Sequence, residues 1–170
     1  MSYTMHRIFC GAAGDLEEER QAFYKVMADF NAAQAMPRGI LFVAVSLPDR
    51  TYDKRPFQAA ISENIRACRY YIQVLEDTWG PPEKNFERDH AIASKCVLDP
   101  NLPMQEVAVL FKKPLLPDQV EPGVIELKRE LAADNRRPHA GFDSLEEYER
   151  QLTCLLSRWL ETVAPTTVGA

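Results

Sequence analysis

Short apolar runs separated by segments of helical period constrain this chain most. His6-Arg7-Ile8-Phe9-Cys10-Gly11 is an apolar strand that leads into Ala12-Ala13-Gly14-Asp15 and then a helical pattern. Gly39 to Val45 is nearly continuous in apolar residues, as expected of a strand covered on both faces. Tyr70 to Leu75 and Glu106 to Phe111 are two further strands, and Arg137 to Phe142 reads as a short edge strand. Helical patterns fall between them. Such alternation predicts a mostly parallel sheet with helices on both faces.

Right-handed crossovers then give an α/β three-layer sandwich of flavodoxin-like type, about five strands in the order 2-1-3-4-5. The first and third strands flank the switch point of this order. Their exit loops, Gly11 to Asp15 and Glu76 to Glu87, are expected to form a cleft, because ligands bind beyond the strand ends in such sheets. With 170 residues there is enough chain for one domain with a real core. One domain is expected over residues 1–163, with a flexible tail over 164–170.

Several elements have readable ends. The first helix is expected from near Asp15, as its cap, to about Ala35, with Glu17, Glu18 and Glu19 suiting the helix dipole. Leu16, Phe23, Met27, Phe30 and Gln34 fall near one stripe, with Val26 and Ala33 beside it. Pro37 and Gly39 end it. Pro56 suits the first turn of the second helix, whose apolar face is Phe57, Ala60, Ile61, Ile65 and Cys68. The third helix is expected from Asn85 to about Lys95, and the fourth from Gly123 to Asp134. Ser144 and Glu147 have capping-box spacing ahead of a strong stripe ending in Trp159 and Leu160.

Charge and patterning exclude some functions. The formal net charge is -5, whereas a general nucleic-acid binder needs a basic face. No apolar run approaches the roughly 20 residues of a membrane span. The N-terminus lacks an apolar signal-peptide core, so a cytoplasmic location is expected. Cys10, Cys68, Cys96 and Cys154 have no metal-ligand spacing and read as buried small hydrophobes in a reducing compartment. His6, His90 and His139 have no metal spacing either. Neither a metal nor a cofactor is expected.

The candidate site residues lie at the strand ends. Gly11-Ala12-Ala13-Gly14 is a tight strand-to-helix turn whose small residues let a ligand approach backbone N–H groups. It is neither a dinucleotide fingerprint nor a phosphate loop. A flavin-binding flavodoxin is disfavoured because the turn lacks hydroxyls. Glu87 falls in the first turn of the third helix. A carboxylate there can bind ribose hydroxyls, or act on an N-glycosidic bond as stabiliser or nucleophile. It can equally match the helix dipole. Asp89 and His90 follow at once, but neighbouring helical residues point in different directions, so adjacency makes no acid–base pair of them with Glu87. Asp49 and Arg50 follow the second strand, where they either reach the edge or remain solvated. Trp79 either stacks on a base or packs under its loop. Lys112 and Lys113 end the fourth strand, as a phosphate contact or as gatekeepers.

Ile8 to Arg20, with its small turn, Asp15-Leu16 and Glu18-Glu19-Arg20, resembles the opening of the TIR-like family catalogued as domain of unknown function 4062. Cys68 to Gly80, ending in Trp79-Gly80, is similar to its next block. Phe86-Glu87-Arg88-Asp89-His90-Ala91 is similar to its acidic helix start, and Phe142 to Leu160 to its ending. The likeness spans roughly residues 6–160. It implies a fold related to TIR domains and nucleoside 2-deoxyribosyltransferases, and a role as a signalling or effector module. In enzymes of related fold a glutamate at this helix start acts on the N-glycosidic bond of NAD or a nucleoside, which the resemblance carries to Glu87. The chain departs from the family in its first turn, Gly11-Ala12-Ala13-Gly14, where Ser and Thr are usual. Pro81, Pro82 and Lys84 also replace the family's Ser or Thr.

The expectation is a TIR-like signalling or interaction module of uncharacterised role, with a nucleotide-binding cleft at the strand C-terminal edge. Its partners would be a nucleotide or nucleoside, and a second copy or a separate signalling chain, with no nucleic acid and no membrane. The alternative is a hydrolase or transferase acting on the N-glycosidic bond of NAD or a nucleoside. In that reading Glu87 is catalytic, and Gly11, Gly14, Asp15, Asp49 and Trp79 bind the ligand.

Overall fold

The computed structural model describes residues 2–13, 15–45, 55–81 and 84–164. Five strands, β1 (Thr4–Ala12), β2 (Ile40–Val45), β3 (Tyr70–Leu75), β4 (Glu106–Lys112) and β5 (His139–Phe142), form one sheet in the order β2-β1-β3-β4-β5. Every pairing is parallel. Among the described residues five α-helices connect or follow the strands: α1 (Glu17–Phe30), α2 (Phe57–Arg66), α3 (Phe86–Leu98), α4 (Pro122–Ala133) and α5 (Leu145–Val163). The fold is therefore the expected α/β three-layer sandwich. The direction of travel across the sheet reverses after β2, so α1 lies on one face and α2 to α4 on the other. No helix among the described residues is long and apolar enough to cross a membrane.

Side-chain alternation along the strands divides the core in two. Ile8, Ala12, Tyr70, Ile72, Val74 and Leu110 face α1 and α5. Phe9, Tyr71 and Val107 face α2 and α3, while Leu75, Val109 and Phe111 meet α4. β3 is buried along its whole length, as the central strand must be. β2 is an edge strand with four of its six residues only partly covered, so its continuous apolar run overstates its burial.

The first helix departs from its expected form at both ends. Leu16, not Asp15, takes the N-cap position, and no side chain caps the helix. Leu16 is fully buried while Asp15 is exposed. Burying the leucine directs the turn, and the aspartate is left facing solvent. At the other end α1 widens into a π-helical stretch, Asn31–Ala35, then a 3₁₀ turn, Met36–Arg38. The wider turn changes the phase of the apolar stripe. Asn31 and Ala35 are buried, and Ala33 and Gln34 are exposed. Gly39 closes the segment at φ +76°, a left-handed conformation that suits glycine.

That phase change gives Asn31 a task. Its amide Nδ2 donates to Phe42 O (2.8 Å), and its Oδ1 accepts from Phe42 N–H (2.9 Å). The side chain thus imitates a neighbouring strand on the open edge of β2. Asn31→Ala is expected to cost about 1–3 kcal/mol, because it strands both backbone groups. Urea unfolding measures this, and amide exchange at Phe42 should accelerate. A loss below about 0.5 kcal/mol would show that water replaces the amide.

The remaining elements follow their sequence signals. Pro56 caps α2. Ser144 Oγ accepts from Glu147 N–H (3.1 Å), and the Glu147 carboxylate accepts from Asp143 N–H (2.8 Å). The expected box is thus closed one residue earlier than Ser144. Cys68 and Cys96 are buried and Cys10 is partly covered, but Cys154 is exposed. It falls between the buried positions Leu152 and Leu156 of α5 and turns outward. The expected flexible tail, residues 164–170, lies almost wholly outside the described residues, since only Ala164 follows α5.

Candidate functional site

β1 and β3 run side by side at the switch point, and Ala13 N–H donates to Val74 O (3.2 Å) where the chain leaves β1. The loop after β3 is held to the start of α4. One Glu121 carboxylate oxygen accepts from Thr78 Oγ1 (2.8 Å) and from Trp79 N–H (2.8 Å). Gly80 N–H donates to Thr78 Oγ1 (3.0 Å). This clamp shapes an open hollow of about 390 Å³ whose walls include Trp79, Gly80, Asn85, Phe86, Glu87 and Glu121.

Glu87 stands in the first turn of α3, exposed, with no hydrogen bond or ion pair among the described residues. Asn85 precedes it in the left-handed region, φ +58°. Trp79 lines the same hollow but is 6% exposed. Its indole lies against Gly123, where a Cβ would come 3.3 Å from Cδ1, and 5.5 Å from the His90 ring. The tryptophan is thus built mainly into the packing between α3 and α4.

Gly11 and Asp15 do not line this hollow. Gly11 is buried and pairs with Gln73 in the sheet. The space a side chain would fill is taken by the Tyr71 hydroxyl, 2.5 Å from an ideal Cβ. Glycine is required there by close approach. Gly14 and Asp49 lie outside the described residues. Within those residues the structure brings together Glu87 and Trp79 of the expected set.

Behind the hollow lies a polar cluster whose Tyr71 and Gln73 the sequence pattern did not single out. Tyr71 Oη donates to Gln73 Oε1 (2.9 Å), and Gln73 Nε2 donates to Gly11 O (2.9 Å). Asp89 and His90 are buried nearby, and Asp89 Oδ1 and both His90 ring nitrogens have no hydrogen-bond partner. Burial pushes the Asp89 carboxyl up to about 6, against the pull of Arg88. Burial, helped by Arg137, pushes the His90 imidazole down to about 4. For the strand part of the cluster the readable signal was Gln73, a lone polar residue in an apolar strand.

These two groups oppose each other in the pH dependence of stability. The raised Asp89 pKa favours the fold at low pH, and that contribution is lost as pH rises from about 4 through about 6. The lowered His90 pKa favours the fold above about 6.5, and that contribution is lost as pH falls through about 4. His90→Gln should therefore leave a fold whose stability declines between pH 4 and 6. Asp89→Asn should leave one whose stability climbs over the same interval. Urea midpoints at four pH values test this, and parallel profiles for both variants would refute the assignment.

At the sheet's C-terminal edge on the opposite face, Lys112 is neither a free cation nor a simple gatekeeper. Its Nζ is 2.7 Å from the buried Glu19 carboxylate. Arg20 donates to Ala12 O (2.6 Å) and pairs with Glu17. The acidic run of the first helix thus also anchors the end of β4. Among the described residues, no group of three or more His, Cys, Asp and Glu side chains is gathered to hold a metal ion.

No family model matches the chain, and no curated protein matches it. Among solved structures it is similar to the general stress protein 14 of Treponema denticola in complex with FMN. The two share 10% identity over 93% of this chain and 99% of that one, with a TM-score of 0.46.

Proposed function

We propose that the chain is a TIR-like signalling and interaction module whose hollow beside α3 takes a nucleotide or nucleoside without turning it over. The observation that carries this reading is the isolation of Glu87. A catalytic carboxylate needs neighbours that fix its rotamer and a second group to move protons. Glu87 is exposed and has no hydrogen bond or ion pair among the described residues, and Glu121, the other carboxylate of the hollow, is engaged by Thr78 and Trp79. The resemblance of Ile8 to Arg20, Cys68 to Gly80 and Phe86 to Ala91 to the family of unknown function 4062 supports the signalling-module part of this reading.

The second reading is hydrolysis or transfer at the N-glycosidic bond of NAD or a nucleoside. The shared hollow of Glu87 and Trp79 favours it. Incubation with NAD and a panel of nucleosides and nucleotides, followed by chromatography for free base, separates the two. The interaction module releases no base, and Glu87→Gln changes nothing but ligand affinity. Base release that vanishes in Glu87→Gln, with the fold retained, would replace the first reading by the second.

A further inference from the structure

The two edges of the sheet are finished differently. At the β2 edge, the outward backbone groups of Phe42 are occupied by the Asn31 amide. At the β5 edge there is no such cover among the described residues. Val109 N–H donates to Pro138 O (3.0 Å) and Lys113 N–H to Phe142 O (2.8 Å). Pro138, Ala140 and Phe142 therefore face β4. By strand alternation, His139 and Gly141 turn their N–H and C=O groups outward. Both residues are exposed, and among the described residues nothing bonds to those groups. Two open hollows adjoin β5. One, of about 500 Å³, is bounded by Phe111 and Lys128 on one face of the sheet and by Phe142 on the other, and the second, of about 300 Å³, is lined by Leu110, Gln151 and Leu155. Open edges of this kind are where another strand adds.

The segment through β5 carries its own complement. Arg136, Arg137 and His139 lie at its start, and Asp143, Glu146 and Glu147 lie just beyond its end. We propose that a second copy of this chain docks on β5, the two strands pairing antiparallel about a two-fold axis through Ala140. His139 then opposes the second copy's Gly141, and the residues of such a pair exchange both N–H···O bonds. The missing side chain of Gly141 leaves room for the imidazole opposite. Arg137 opposes the second copy's Asp143, and the two-fold repeats that charge pair on the other side. Slipping the register to the next hydrogen-bonding alignment loses one backbone pair and moves Arg137 off Asp143. The interface is isologous and closes as a dimer. The proposal deepens the interaction-module reading and rests on it for its purpose, but its geometry does not involve the hollow beside Glu87.

Sedimentation velocity of the full chain tests it, over a concentration series reaching roughly 100 µM, where weak specific contacts populate. The expected result is a monomer–dimer equilibrium. Gly141→Pro removes an outward N–H while sparing the ladder to β4, and should leave monomer. Asp143→Arg should weaken the dimer about tenfold or more, and adding Arg137→Asp should restore it. If Gly141→Pro does not fold by circular dichroism, the charge-exchange pair decides. A monomer throughout the series, or a dimer indifferent to these changes, overturns the proposal. Base release is assayed separately, so either reading can fail while the other stands.

Discussion

Replacing Lys112 by methionine is expected to destabilise the fold by about 3 kcal/mol, the low end for breaking a buried ion pair. Glu19 is 2% exposed, and its carboxylate lies 2.7 Å from Lys112 Nζ. Lys112 keeps partial contact with water, which places the effect at the low end. Without the ammonium, the Glu19 carboxylate is left buried and uncompensated. The effect should therefore be largely reversed by a second change, Glu19→Leu, which removes the stranded charge and fills the same space. Replacing buried pairs by apolar residues is often neutral. Urea unfolding of the two single variants and the double variant forms a complete cycle. If Lys112→Met costs less than about 1 kcal/mol, the pair behaves as a solvated surface contact.

Trp159→Ala should cost about 3–5 kcal/mol, as expected for truncating a fully packed aromatic. The indole is 2% exposed and stacks on Tyr70 with ring centroids 4.1 Å apart and planes 7° from parallel. Its Nε1–H donates to the Glu106 carboxylate, which also accepts from Arg158 (2.7 Å). Trp159 therefore joins α5 to β3 by packing and to the start of β4 by a hydrogen bond. Trp159→Phe keeps most of the packing and loses the N–H, so a smaller loss of about 1–2 kcal/mol is expected, since Arg158 still satisfies the carboxylate. Near-equal losses for the two variants would mean that the hydrogen bond, not the stack, dominates.

Strand order was legible because it rests on local periodicity and a general rule of handedness. Each apolar run is short, each helical stripe is long, and right-handed crossovers leave few ways to assemble them. The capping of α5 by Ser144 was legible for the same reason, since its partners lie within one turn. The start of α1 was not. Asp15 has a good capping side chain, but burial of Leu16 decides where the helix begins. The π-helical stretch also depends on distant atoms, because it exists alongside the bonds between Asn31 and Phe42 across the sheet edge.

The same division applies to the candidate site. That polar residues gather beyond the ends of β1 and β3 follows from the βα alternation, which sequence determines by itself. Which of them share a space was decided by tertiary packing. The Glu121 clamp puts Trp79 and Glu87 on one hollow, and the Tyr71 hydroxyl fills the space beside Gly11. Glu19 and Lys112 read separately as a helix-end acid and a strand-end base, yet they form one pair. Periodicity reports which face a residue takes on its own element. It carries no information on what a side chain meets across a gap of many residues, because that depends on how closely the elements pack.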